Sequence, residues 1–289
     1  MLRPVFSFVI LHYLDSKMTK ECVSSIINTI EYKDFYIVIV DNASPNNSGL
    51  ELEKEYEKNE KVFVIKNKKN EGFAKGNNCG YSFAKKKLKA DYIICINNDT
   101  LMLQKDFLEK IVEIENKDKC DVLGPDIISQ NGEHQSPRRI KPLSLNEVKK
   151  SILRKSLMLL YFYWRKYLFG LKFVENLYRQ SNANYKEQVA FSEKQENVVL
   201  LGACIIYCPE FVYKEEYAFS PKTFMYGEED LLAWHCHKRN YKILFDPQIK
   251  ITHLGEISTK RSIAKEVDKL IFLYKNTIQG LILLRKEMK

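Results

Sequence analysis

What most constrains the fold of this 289-residue chain is the alternation in its first half. Short β-rich runs recur at residues 5–11, 36–40, 62–65, 92–96 and 121–123. Between them, apolar residues fall at helical spacing. In 19–30, Cys22, Val23, Ile26, Ile27 and Ile30 form one stripe, and 74–89 and 104–116 supply two more helices. Ser48-Gly-Leu-Glu51 has the form of a capping box opening the helix after the second strand. Strands alternating with helices over short links specify an α/β fold around a mostly parallel sheet. Such sheets bind ligands outside the carboxyl ends of their strands, so the residues after each run are the first candidates for a site.

Those residues are polar and short. His12-Tyr13 follows the first run, and Asp41-Asn42-Ala43-Ser44 the second. Asn70-Glu-Gly-Phe-Ala-Lys-Gly-Asn-Asn-Cys-Gly80 follows the third, and Asn97-Asn98-Asp99-Thr100 the fourth. Any one of them could be a turn or a helix cap. Four in register along one sheet edge describe a nucleotide site. No GxGxxG opens the first helix and no GxxxxGK[ST] or HExxH occurs, which argues against dinucleotide enzymes, P-loop NTPases and zincins.

The ordered motifs SFVILHY, IVDNAS (39–44), NEGFAKGNNCG (70–80), INNDT (96–100), LGPDI (123–127), GAC (202–204), FMYGEED (224–230) and His253-Leu-Gly255 resemble the inverting glycosyltransferases of family 2. The nearest likeness is to the bacterial, rhamnosyltransferase-like branch that assembles surface polysaccharides. The resemblance implies a GT-A fold, with a Rossmann-like sheet and a helical C-terminal region. It also implies a nucleotide-sugar donor (UDP-, dTDP- or GDP-linked) and a glycan or polyprenyl-diphosphate-linked acceptor. On this likeness Asp41 reads the nucleoside, with His12, Asn42 and Asn98 on the donor side. Gly72, Phe73, Lys75 and Asn77 lie where the family wraps base and diphosphate. Asp99 matches the DxD-type position, with Asn97 replacing its first acid, and His253 matches a late histidine. These two would hold a divalent cation, Mn²⁺ or Mg²⁺, against the leaving diphosphate. Inversion needs a base for the acceptor hydroxyl, and Glu229 occupies that position, with Asp230 and Glu228 as alternatives. Leu231 stands where the family often has another Asp. The acidic run also reads as a helix N-terminus favoured by the dipole.

The resemblance and the composition divide the chain into a nucleotide-sugar half (1–130), a basic aromatic helical insert (131–197), an acceptor half (198–260) and an amphipathic C-terminal helix (261–289). Lys and Arg number 46 against 37 Asp and Glu, a net charge of +9. Much of that excess flanks LMLLYFYW in the insert, as Lys149, Lys150, Arg154, Lys155, Arg165 and Lys166, and recurs after residue 261. It suits either an anionic membrane surface or a buried helix pair with a solvated basic face. No nucleic-acid-binding signature accompanies it, so nucleic acid is not an expected partner. Seven scattered cysteines without a CxxC read as reduced, mostly buried thiols. The opening MLRPVFSFVILHY lacks the features of a signal peptide, and the expectation is a cytoplasmic protein, peripheral at the inner face of the plasma membrane. Asn97 and Leu231 also keep open a non-catalytic sugar-nucleotide-binding or membrane-associated scaffold.

Overall fold

The computed structural model of the chain describes residues 3–168, 191–255 and 263–289. The strands are β1 (Phe6–His12), β2 (Phe35–Asp41), β3 (Val62–Lys66), β4 (Tyr92–Asn97), β5 (Thr100–Leu101), β6 (Val122–Ser129), β7 (Gln195–Glu196), β8 (Cys204–Tyr207) and β9 (Ile243–His253). They join in one sheet of order β3-β2-β1-β4-β8-β6-β9-β5, with β7 beside β9. The first four strands are parallel, as the alternation predicts. Past β4 the sheet is mixed: β8 runs antiparallel to both β4 and β6, while β9 is parallel to β6.

Both faces of the central strands are buried, so they read as unbroken apolar runs and not as alternating ones. Phe6, Phe8 and Ile10 face one layer, with Cys22, Val23 and Ile26 of α1 (Ser16–Thr29), Leu52 of α2 (Ser48–Tyr56), and Phe107 and Ile111 of α4 (Phe107–Asp118). Val9 faces the other layer, with Ala74, Tyr81 and Ala84 of α3 (Gly72–Lys86), Phe211 of α6 (Pro209–Lys214) and Leu232 of α7 (Glu228–Arg239).

Several boundaries differ from expectation. The run at 121–123 extends to Ser129, and the last strand continues from Ile243 to His253. Pro125 and Asp126 in β6, and Asp246, Pro247 and Gln248 in β9, hide these extensions, because they break the aliphatic run at a bulge after which the pairing resumes. The capping box does not form. Asn47 is the N-cap of α2 without a side-chain cap. Ser48 Oγ instead meets His12 and donates to Asn46 Oδ1, while Glu51 takes Ser16 and Lys20.

The basic insert contains α5 (Leu145–Leu168), which packs on the C-terminal helix α8 (Ile263–Glu287). Phe162 meets Val267, Leu270, Ile271 and Tyr274, and nearer the other end Val148 meets Leu231, Leu281 and Leu284. Helix α8 therefore bridges α5 and the start of α7. The buried-pair reading accounts for one face of α5; the opposite face leaves Leu153, Leu157, Leu160 and Trp164 exposed. Among the described residues no helix is long and apolar enough to cross a membrane. Residues 169–190 of the insert and 256–262 lie outside the described residues. All seven cysteines are free; six are buried and Cys79 is half-buried.

Candidate functional site

Strand register sets the edge. His12 pairs with Asp41, and Leu11 pairs with Asn97, so the carboxyl ends of β1, β2 and β4 meet. Beneath this edge His12 is fully buried, with Thr19 Oγ1 and Ser48 Oγ each 2.8 Å from a ring nitrogen. Burial lowers its pKa, against the opposing pull of Asp41, and keeps the ring neutral. Asn98 Nδ2 donates to the same Thr19 hydroxyl at 3.0 Å. His12 thus ties β1 to α1 and α2 beneath the edge.

Asn42 is likewise held by neighbouring groups. Its amide donates to Asn70 Oδ1 and to the Gly72 carbonyl, and its Oδ1 accepts from Asn67 Nδ2 and the Glu71 N–H. With that capacity used, the side chain fixes the loop ahead of α3. Asn77 is buried and donates to the Phe73 carbonyl one turn back. Asp41 Oδ1 accepts from the Ser44 N–H at 3.1 Å, and its other oxygen lies over Gly49 at the start of α2. Lys75 is exposed and Phe73 half-buried, its ring 5.4 Å from that of Phe219. Gly72 has φ +78°, and a Cβ there would sit 2.0 Å from the Phe224 carbonyl oxygen. That oxygen accepts from the Phe73 N–H at 2.7 Å. Only glycine permits this close approach, which joins the NEGF loop to the FMYG loop.

Asp99 and His253 come together because β5 pairs with β9, placing Thr100 opposite His253, and because the Leu254 N–H donates to the Asp99 carbonyl. Asp99 Oδ1 and His253 Nε2 stand 3.2 Å apart. Both atoms are buried and neither makes a hydrogen bond. His253 Nδ1–H donates to Gln135 Oε1 at 2.7 Å, so in the neutral ring Nε2 carries a lone pair. In the neutral ring these are two buried acceptors facing each other, an arrangement that a divalent cation satisfies; in the imidazolium they form an ion pair. Among the described residues there is no cluster of three or more metal-ligating side chains. An oxygen and an imidazole nitrogen fit a cation that takes its remaining ligands from phosphate and water.

The three acids open α7 in its first turn. Glu229 Oε2 accepts from Arg138 Nη1 at 3.0 Å, and Asp230 pairs with Arg139. Glu228 is 3% exposed, its Oε1 has no hydrogen-bond partner, and burial, with the Glu229 charge second, raises its pKa to about 7. Helix α8 braces the turn ahead of these acids. Gly280 lies against Tyr226 and Gly227, so close that a Cβ on it would come within 2.7 Å of the Tyr226 carbonyl oxygen. Sequence reasoning missed Gln135, Arg138 and Arg139, which fall in a segment whose only signal is a pair of arginines after a proline. It also missed Asn78, whose amide both donates to the Phe219 carbonyl and accepts from the Phe219 N–H.

The chain spans 54% of its own length and 53% of the relative in an alignment, at 30% identity over 161 residues, with an uncharacterized glycosyltransferase of Methanocaldococcus jannaschii. It therefore spans about half the length of that curated relative. Among solved structures it resembles Staphylococcus aureus TarS residues 1–349, at TM-score 0.53 and 14% identity over 93% of this chain and 65% of that one. TarS has also been solved with UDP and with UDP-GlcNAc. GalNAc-T7 with UDP, GalNAc and Mn²⁺ matches at TM-score 0.60 and 16% identity, over 94% of this chain and 49% of that one. These likenesses support the GT-A form of the sheet. The family model described as Glycosyl transferase family 2 matches residues 7–180, more than half of the chain, and the chain belongs to that family.

Proposed function

We propose that the protein is an inverting, cation-dependent glycosyltransferase. The observation that carries the reading is the Asp99–His253 pair, two buried acceptor atoms 3.2 Å apart without a hydrogen bond, at the edge where the parallel strands end. When bound, a divalent cation there would neutralise the charge that develops on the departing diphosphate. Asp41 would read the nucleoside, with Phe73 and Lys75 beside the base and diphosphate. UDP in the TarS and GalNAc-T7 structures supports a nucleotide-sugar donor, and UDP is the first nucleotide to test. Glu229 would take the proton of the acceptor hydroxyl. The acceptor oxygen then forms its bond to the anomeric carbon while the bond to the diphosphate oxygen breaks, inverting the configuration. Glu229 is preferred over Glu228 because Glu228 is buried while the Glu229 carboxylate is half-buried and open to an acceptor.

The acceptor is proposed to be a growing glycan or a polyprenyl-diphosphate-linked sugar in surface-polysaccharide assembly, at the cytoplasmic face of the plasma membrane. The exposed stripe of Leu153, Leu157, Leu160 and Trp164 beside Lys149, Lys150 and Arg154 supports that placement. A second reading, binding without catalysis, is favoured by the arginines seated on Glu229 and Asp230 and by Asn97. A thermal-shift panel of UDP-, dTDP- and GDP-sugars with and without Mn²⁺ tests the donor, since a ligand of the native state raises the melting temperature. Product formation with the binding donor then separates the two readings. Stabilisation by no nucleotide sugar would overturn both.

A further inference from the structure

We infer that Gln135 is the positioning residue that turns Asp99 and His253 into a cation site, an inference that rests on the proposed cation dependence. A neutral histidine beside a carboxylate has a simpler arrangement open to it: Nε2 carries the proton and donates to the carboxylate. Here that bond would close the pair and leave no acceptor for a cation. The structure has the opposite arrangement. Gln135 Oε1 accepts from Nδ1–H at 2.7 Å, which places the ring proton on the far side from Asp99. In the neutral ring the Nε2 lone pair then faces Asp99 Oδ1 at 3.2 Å, and neither buried atom makes a hydrogen bond. A neutral amide does this without adding a negative charge to the site.

The backbone fixes Gln135 for the task. Its N–H donates to the Ile127 carbonyl at 2.8 Å, and the preceding residue pairs with Ile128. His134 is anchored on the buried Asp126 carboxylate at 2.8 Å. The same strand β6 runs parallel to β9 with Ser129 opposite His253. Strand β6 therefore holds the Gln135 backbone through Ile127 and places His253 of β9 across from its last residue. Partners of this kind to a ligating histidine set its tautomer and ring orientation, and their loss typically weakens metal affinity about 10- to 100-fold.

The test uses the full chain, Gln135→Met (similar volume, no acceptor amide) and Gln135→Glu (acceptor retained). Nitrogen-15 NMR of metal-free protein, above the ordinary histidine pKa, reads the His253 tautomer. Mn²⁺ titration in the presence of UDP, followed by electron paramagnetic resonance, reads the affinity. The wild type should hold the proton on Nδ1. Gln135→Met should move it to Nε2 and weaken Mn²⁺ binding by about tenfold or more, and Gln135→Glu should preserve both. A purely structural role would not shift the tautomer while thermal unfolding stayed unchanged. If Gln135→Met leaves tautomer and affinity as in the wild type, the role of Gln135 is overturned and the cation site stands. A wild-type protein that binds no Mn²⁺ with UDP present overturns the cation reading itself.

Discussion

Replacing Glu228 by Gln should stabilise the protein at alkaline pH and leave it nearly unchanged in acid. Glu228 is 3% exposed, and burial, reinforced by the neighbouring Glu229 charge, raises its carboxyl from 4.5 to about 7. The folded state then holds a proton that the unfolded chain releases. The stability this contributes is fully present below about pH 4.5 and is lost as the pH rises through about 7. At 1.36 kcal/mol per pH unit, the span from 4.5 to about 7 corresponds to on the order of 3 kcal/mol. Gln has nearly the same shape and no charge. Urea unfolding of both proteins across this range should therefore show curves that converge in acid and separate steadily above the unfolded pKa, with the variant ahead by up to about 3 kcal/mol near pH 8. Subtracting the two curves cancels every other titrating group that the substitution leaves alone. A difference that does not change with pH would refute the reasoning, because it would mean that Glu228 ionises as freely in the fold as in water. Transfer should survive this substitution, since the base is assigned to its neighbour.

Asp99→Ala should abolish cation-dependent turnover of the donor while leaving the melting temperature within a few degrees, read by product formation and thermal unfolding; full activity would remove Asp99 from the site. Glu229→Gln should lose transfer and keep nucleotide binding, measured by calorimetry with UDP; unchanged transfer would move the base to Asp230. Arg139→Ala should cost about 3 kcal/mol, because it leaves the buried Asp230 without its counter-charge. Arg138→Ala should cost under about 1 kcal/mol, since the Arg138 side chain is 41% exposed and solvent screens its ion pair. Gly280→Ala would ordinarily favour a helix by about 1 kcal/mol. Here the new Cβ meets the Tyr226 carbonyl at 2.7 Å, so denaturant titration should show a net loss of roughly 1–3 kcal/mol, together with weaker transfer.

The donor half was legible because its signals are local. Three apolar runs buried on both faces announce β1, β2 and β4, a half-buried one announces β3 at the sheet's end, and each polar residue that ends a run sits at the sheet edge by register alone. Within that edge the residue types did not reveal which way each side chain turns. His12 and Asn42 satisfy themselves below the surface, through Thr19, Ser48 and the 67–72 loop. Ser48 shows the cost of local reasoning: a capping box is its best local partner, but a buried imidazole takes the hydroxyl instead. Asp99 and His253 were each singled out by motif. Their meeting depends on the β5–β9 pairing across more than 150 positions, and the two-residue strand β5 has too little periodicity to announce itself.

The basic balance also has a different distribution from the one the sequence suggests. Counting charges along the chain puts the surplus after residue 141, away from the candidate site. In the fold, Arg138 and Arg139 arrive just before that stretch and face Glu229 and Asp230. The backbone dictates this placement: the Arg138 N–H donates to the Val199 carbonyl, and the Val199 N–H donates to the Arg139 carbonyl, so the segment is laid along the start of the acceptor half. Three residues earlier, Gln135 reaches His253. A stretch with no strand or helix of its own thus contacts both His253 and the acids, because its backbone is paired to β6 at one end and to Val199 at the other. Any movement of that stretch would disturb both sets of contacts together. Were Glu229 the base, its Oε2 would hold Arg138 while an acceptor hydroxyl approached the same carboxylate. Acceptor binding and the position of Arg138 would then be linked through a single carboxylate.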